Sequence, residues 1–187
     1  MRNLKMKKIA VLALLSIALP AFAASEGGYA GISLGSGKPG LTPTALTMST
    51  SSSFIYGGFV GYQYSKNLAA EVQYGGVGKS TDVAGNATKT DALSLTAVGL
   101  LPLTDKLELI GKLGLANAKT TVSGPTATNT SISRTGLTYG IGAQYNVNRD
   151  VALRMELNRY AVATGNAAGG KTNGNGTTAN AEALYKF

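Results

Sequence analysis

The sequence predicts an all-β protein: an eight-stranded antiparallel up-and-down transmembrane β-barrel after a cleaved signal peptide. Three observations predict it. Apolar residues recur at every second position through segments of about ten residues. The connections between those segments alternate between long and short. Aromatic residues collect near the segment ends and leave aliphatic middles, as two membrane interfaces require.

The elements follow in chain order. The opening MRNLKMKKIAVLALLSIALPAFA has a basic start (Arg2, Lys5, Lys7, Lys8), an apolar run over 9–19 and a small-x-small exit at Ala21-Phe22-Ala23. These are the parts of a secretory signal cleaved after Ala23, and initiation at Met6 leaves an equally good one. The run is short for an uncleaved anchor. The expected domains are thus a signal peptide, 1–23, and a transmembrane β-barrel, 24–187. The signal holds four of the 17 Lys and Arg and none of the nine acids, so the mature net charge is +4. Charges this scattered form no basic stripe, and no nucleic acid is expected as a partner. The chain has no cysteine, which excludes lipidation at a mature N-terminal Cys.

Seven alternating segments are expected at 29–37, 54–64, 68–79, 91–103, 107–122, 134–147 and 151–163, and an eighth runs to the end of the chain. Short turns SKN, TDK and NRD join alternate pairs, and long polar loops fill 38–52, 80–90, 123–133 and 164–177. Twenty-five glycines and a period of two oppose helices. The final strand alternates Ala181, Ala183, Tyr185 and Phe187 with Asn180, Glu182 and Lys186. A strand ordered to its last residue needs a partner, and a barrel supplies one by pairing its last strand with its first.

The aromatics locate the membrane. Tyr29, Tyr62, Tyr64, Tyr145, Tyr185 and Phe187 are expected at the short-turn interface, and Phe54, Tyr56, Tyr74, Tyr139 and Tyr160 at the long-loop interface. Phe59 alone of the mature aromatics is expected inside. A soluble sandwich or lipocalin-like barrel would concentrate its large residues inside instead.

YAGISLG, GGFVGYQYSKNLAAEVQY, GIGAQYNVNRDVALRMELNRY and the terminal YKF resemble the eight-stranded outer-membrane barrels of Gram-negative bacteria, the OmpA transmembrane-domain and opacity-like surface-protein superfamily. The likeness covers essentially the whole mature chain. It implies an outer-membrane location, periplasmic termini and extracellular loops at 38–52, 80–90, 123–133 and 164–177. It also implies that the barrel assembly machinery recognises Phe187, Tyr185 and Ala183. Unlike full-length OmpA, the chain leaves no residues for a periplasmic peptidoglycan-binding domain, so cell-wall tethering is not implied.

No catalytic, cofactor or metal residues are expected. Gly165 to Thr172 spell the P-loop pattern, but a P-loop needs a following helix, and the Gly/Asn run NGNGTTAN opposes one. GGVGKST at 75–81 has Gln73 where the first Gly belongs. The acceptor triplets at Asn86, Asn129 and Asn175 are expected by chance in Asn/Thr-rich loops. A chain with no His loses the usual general base of barrel enzymes, and without His or Cys it lacks the usual metal ligands.

Two charge groups remain. Lys119 and Arg159 share the parity of the lipid-facing leucines near the outer rim, where they contact lipopolysaccharide phosphates or are simply solvated. With Leu68, Leu109, Leu153 and Phe187 facing lipid, the opposite parity places Glu71, Glu108, Lys112, Arg154, Glu156, Glu182 and Lys186 in the lumen. Counted from the short turns, Glu108 and Lys186 lie lowest, Glu71 and Arg154 next, then Lys112, Glu156 and Glu182. Gln63, Gln144 and Asn158 are expected to satisfy leftover donors and acceptors. Such mixed layers form either a network that plugs the lumen or an ordinary hydrated interior. The expected function is a monomeric structural and surface-interaction protein, with lipids, lipopolysaccharide and an unidentified extracellular ligand as partners. The rivals are a narrow pore for small solutes and, third, a soluble periplasmic binding module.

Overall fold

The computed structural model describes residues 27–38, 53–81, 87–123, 130–165 and 171–187. The signal expected at 1–23, Asn86 and Asn129 lie outside them. Eight strands close into one antiparallel barrel in chain order: β1 (Gly27–Lys38), β2 (Ser53–Ser65), β3 (Leu68–Thr81), β4 (Ala87–Pro102), β5 (Leu107–Ser123), β6 (Thr130–Asn146), β7 (Val151–Gly165) and β8 (Lys171–Lys186). β8 pairs with β1, as closure requires.

Following paired residues once round, from Gly28 through Tyr62, Ala70, Ala97, Leu113, Tyr139, Arg159 and Thr177, returns to β1 at Lys38. The register therefore advances ten residues (38 − 28) per circuit. Eight strands with this stagger tilt by about 40° and enclose a radius of about 8 Å, room for side chains and little else.

The two faces of the wall are inverted relative to a soluble protein. Ile141, Met155, Tyr56 and Leu113 are exposed on the outside, while Glu71, Arg154, Glu156 and Glu182 are buried inside. On β6 the apolar outer face runs from Tyr145 to Leu137, and eight residues at this tilt give a band about 20 Å tall. Above it the outer surface turns polar: Asn117 Nδ2 donates to Thr135 Oγ1 (2.8 Å), and Thr121 and Ser131 hydroxyls pair at 3.2 Å.

Three of the four long connections are shorter than the sequence suggests. β4 begins at Ala87, β6 at Thr130 and β8 at Lys171, within the expected loops 80–90, 123–133 and 164–177. These strand ends extend past the apolar band, and their sequences are too polar for alternation to mark them. Lys171 and Thr172 of the P-loop-like segment start β8, so a strand stands where a phosphate-binding helix would be needed. Two ladders stop early, β2–β3 at Gly57↔Gly75 and β6–β7 at Thr138↔Tyr160. Above these points the rim forms two four-stranded walls. Below these points both ladders continue to the short turns, which keeps the backbone paired where no water reaches it.

Candidate functional site: the lumen

The inward column of each strand repeats one plan. From the short-turn end, β7 presents Ala152, Arg154, Glu156, Asn158 and Tyr160. β3 presents Ala69, Glu71, Gln73 and, past a bulge, Val77; β8 presents Leu184, Glu182, Asn180 and Thr178. β5 presents Ile110, Lys112, Gly114 and Ala116. The pleat thus stacks an apolar floor, a charged layer, an amide and hydroxyl layer, and an apolar ceiling. The floor cluster contains Tyr29, Phe59, Ala69, Val98, Leu100, Ile110, Ala152 and Leu184. The ceiling cluster contains Val77, Ala92, Ala116, Ala118 and Tyr160.

Arg154 is the hub of the charged layer. Its Nη1 donates to Glu71 Oε2 (2.8 Å), Glu156 Oε1 (3.3 Å) and Glu182 Oε2 (3.5 Å). Nε and Nη2 both donate to Gln144 Oε1, at 3.1 and 2.9 Å. Lys112 Nζ pairs with Glu71 and with Glu156 Oε1 (2.7 Å). Tyr29 donates its hydroxyl proton to Glu71 Oε2 (3.1 Å), Asn158 donates to Glu156 (3.1 Å) and Gln73 to Glu182 (3.3 Å). Both cations also lie over aromatic rings, Lys112 at 5.7 Å and Arg154 at 5.4 Å from the Phe59 centroid. These rings fit because two positions lack a side chain. A Cβ on Gly31 would meet the Phe59 ring, and one on Gly61 would meet the Tyr29 ring.

Five of the seven lumen charges read from the sequence, Glu71, Lys112, Arg154, Glu156 and Glu182, therefore lie in one connected cluster rather than in two successive layers. Glu108 and Lys186 lie below it without an ion pair to each other. Glu108 accepts from Gln144 Nε2 (2.8 Å), and Lys186 Nζ donates to Asn146 Oδ1 (3.0 Å). Gln144 links this lower pair to Arg154, and Asn158 joins at Glu156. Gln63 does not join: its amide donates to the backbone oxygen of Ser65 (3.1 Å).

Two aromatic assignments are corrected. Tyr29 and Tyr160 face the lumen with Phe59 and are not interfacial. Parity carries the signal that finds them. Tyr160 adjoins outward Arg159 and lies out of phase with Leu153, Met155 and Leu157, and Tyr29 lies out of phase with outward Ile32 and Leu34. The other nine mature aromatics face outward.

Solvent reaches the short-turn end of the barrel. A cavity of about 1030 Å³ opens at the short-turn end, bounded by Glu108, Lys186, Lys66, Lys106 and Arg149 among others. A cavity of only about 10 Å³ lies above the charged layer.

On the outer surface Lys119 and Arg159 are both exposed, but they do not form one site. Lys119 stands opposite Ser133 of β6 and Arg159 opposite Tyr139, six residues apart along that strand. At the closing strand Tyr185 and Phe187 stack outward, with centroids 6.5 Å apart, and Ala183 shares their face. Phe187 N donates to Gly28 O (2.9 Å), and its ring occupies the space a Cβ on Gly28 would need. Asn175 lies within β8. Among the described residues no group of three His, Cys, Asp or Glu is placed to hold a metal ion.

The family model described as "Outer membrane protein beta-barrel domain" matches residues 9–187. No curated protein sequence matches the chain. Among solved structures, Neisserial surface protein A is similar at 16% identity and a TM-score of 0.65, covering 86% of this chain and 97% of its own. OprG from Pseudomonas aeruginosa is similar at 13% identity and a TM-score of 0.59, covering 88% and 98%. Ail, the attachment invasion locus protein of Yersinia pestis, solved with the heparin analogue sucrose octasulfate, is similar at 16% identity and a TM-score of 0.54, covering 86% and 99%.

Proposed function

Because the chain belongs to the outer-membrane protein β-barrel family and is placed by it in the Gram-negative outer membrane, we propose that it serves there as a closed, non-catalytic surface protein. In this reading it stabilises the membrane and displays its long connections outside the cell. The observation that carries the reading is the filled lumen. Charged side chains with almost no solvent access bridge β3, β5, β7 and β8 between two apolar layers, which opposes a solute path. A filled tube is suited to holding loops rather than passing solutes.

Lys119 and Arg159 stand near the level where lipopolysaccharide phosphates lie, and each makes a separate contact with them. Ail, a barrel of the same fold, was crystallised with a sulphated saccharide analogue, which supports looking for an anionic saccharide outside this one. The outward Phe187, Tyr185 and Ala183 face is offered to the assembly machinery during insertion, and the barrel works as a monomer. The second reading, a narrow channel, is favoured by the charged vestibule of about 1030 Å³ at the short-turn end.

Display of the loops is tested with epitope tags on intact cells. Tags inserted at Gly124 or Gly170 are expected to be labelled from outside, and a tag at Asn148 only after the outer membrane is permeabilised. Labelling at Asn148 on intact cells would invert the barrel and overturn the display reading.

A further inference from the structure

The charged layer does not balance. Three carboxylates, Glu71, Glu156 and Glu182, face two cations, Lys112 and Arg154, and all five side chains are buried. The shortfall falls on Glu182. Glu71 is bound by Lys112, Arg154 and Tyr29, and Glu156 by Lys112, Arg154 and Asn158. Glu182 has only a 3.5 Å contact with Arg154 and a 3.3 Å bond from Gln73. An uncompensated charge between two apolar layers is costly, and the layer gains by acquiring one positive charge.

A place for that charge lies directly above. The cavity of about 10 Å³ is the size of one water molecule, and Ser33, Gln73, Ser94, Tyr160 and Asn180 supply its oxygens. Asn180 is 7% exposed and lines this cavity, and its Oδ1 has no hydrogen-bond partner. Amide and hydroxyl oxygens are the ligands a hard monovalent cation prefers. Gln73 touches both sides, lining the cavity while donating to Glu182.

From the charge shortfall and the unpartnered Asn180 oxygen, we propose that the lumen binds one small monovalent cation, of sodium size, between Asn180 and the Glu182 layer. The ion supplies the missing positive charge and a partner for Asn180 Oδ1. It locks the amide layer to the charged layer and adds to the closure of the tube.

The test is thermal unfolding of the refolded barrel, followed by circular dichroism in sodium chloride, potassium chloride or choline chloride at equal ionic strength. Sodium is expected to raise the wild-type midpoint by several degrees over choline, saturably and more than potassium does. Glu182→Gln leaves two acids against two bases, and its midpoint is expected to be the same in all three salts. Asn180→Ala is expected to lose most of the sodium shift. Equal wild-type midpoints in sodium and choline would overturn the proposal even if neither variant folds. A protonated-carboxyl infrared band present in wild type and lost in Glu182→Gln would assign the missing charge to a proton instead.

Discussion

Arg154 ties more of the lumen together than any other described side chain, with bonds to three carboxylates and to Gln144. Removing it leaves Glu71, Glu156 and Glu182 with Lys112 as the one cation of the layer. Breaking a buried pair from one side costs about 3–5 kcal/mol, because the remaining charges stay buried. Arg154→Ala is therefore expected to lose about that much in urea unfolding of the folded barrel, whereas Lys119→Ala, on the exposed face, should change it by less than about 0.5 kcal/mol. Equal effects would mean that the cluster contributes nothing beyond ordinary surface charge. The same residues show what parity reveals. Once Leu68, Leu109 and Leu153 are set facing lipid, the pleat places Glu71, Lys112 and Arg154 inside without further information. Tyr29 and Tyr160 defeat the expectation from aromatic type, which points to an interface, while their phase points inward. The hub role of Arg154 and the single-cluster arrangement depend on the stagger between strands. No single strand's sequence contains that stagger.

At the scale of elements, β8 has the most demanding position, since it closes the barrel against β1. Tyr29↔Lys186 and Lys38↔Thr177 mark the ends of that ladder, and Phe187 caps it with a backbone bond to Gly28 and a ring lying over the Gly28 position. Deleting Phe187, or replacing it with Asp, is expected to leave the protein degraded or held in the periplasm, read by cell fractionation and blotting. Normal outer-membrane amounts of the deletion would contradict a role for the terminal residue in assembly. Strand existence and order were readable because alternation is strong inside the apolar band. Strand length was not. Beyond the band, Thr88, Thr90 and Thr120 face inward while Lys89 and Thr121 share the opposite parity, so polar residues occupy both faces. The ladders continue there through backbone bonds, which composition does not reveal.

At the scale of the whole molecule, the fold, the lumen and the outer surface follow from one arrangement. The stagger of ten residues sets a radius that side chains fill, the pleat stacks apolar, charged, amide and apolar layers in it, and lipid takes the apolar residues left outside. On the proposed function this tube is closed to solutes. The most direct measurement is single-channel recording in a planar bilayer, with wild type beside Arg154→Ala and Glu71→Ala. Wild type is expected to show no steady conductance, and the variants, with the network broken, to show openings. A large, steady wild-type conductance left unchanged by both substitutions would contradict the closed barrel and favour the pore.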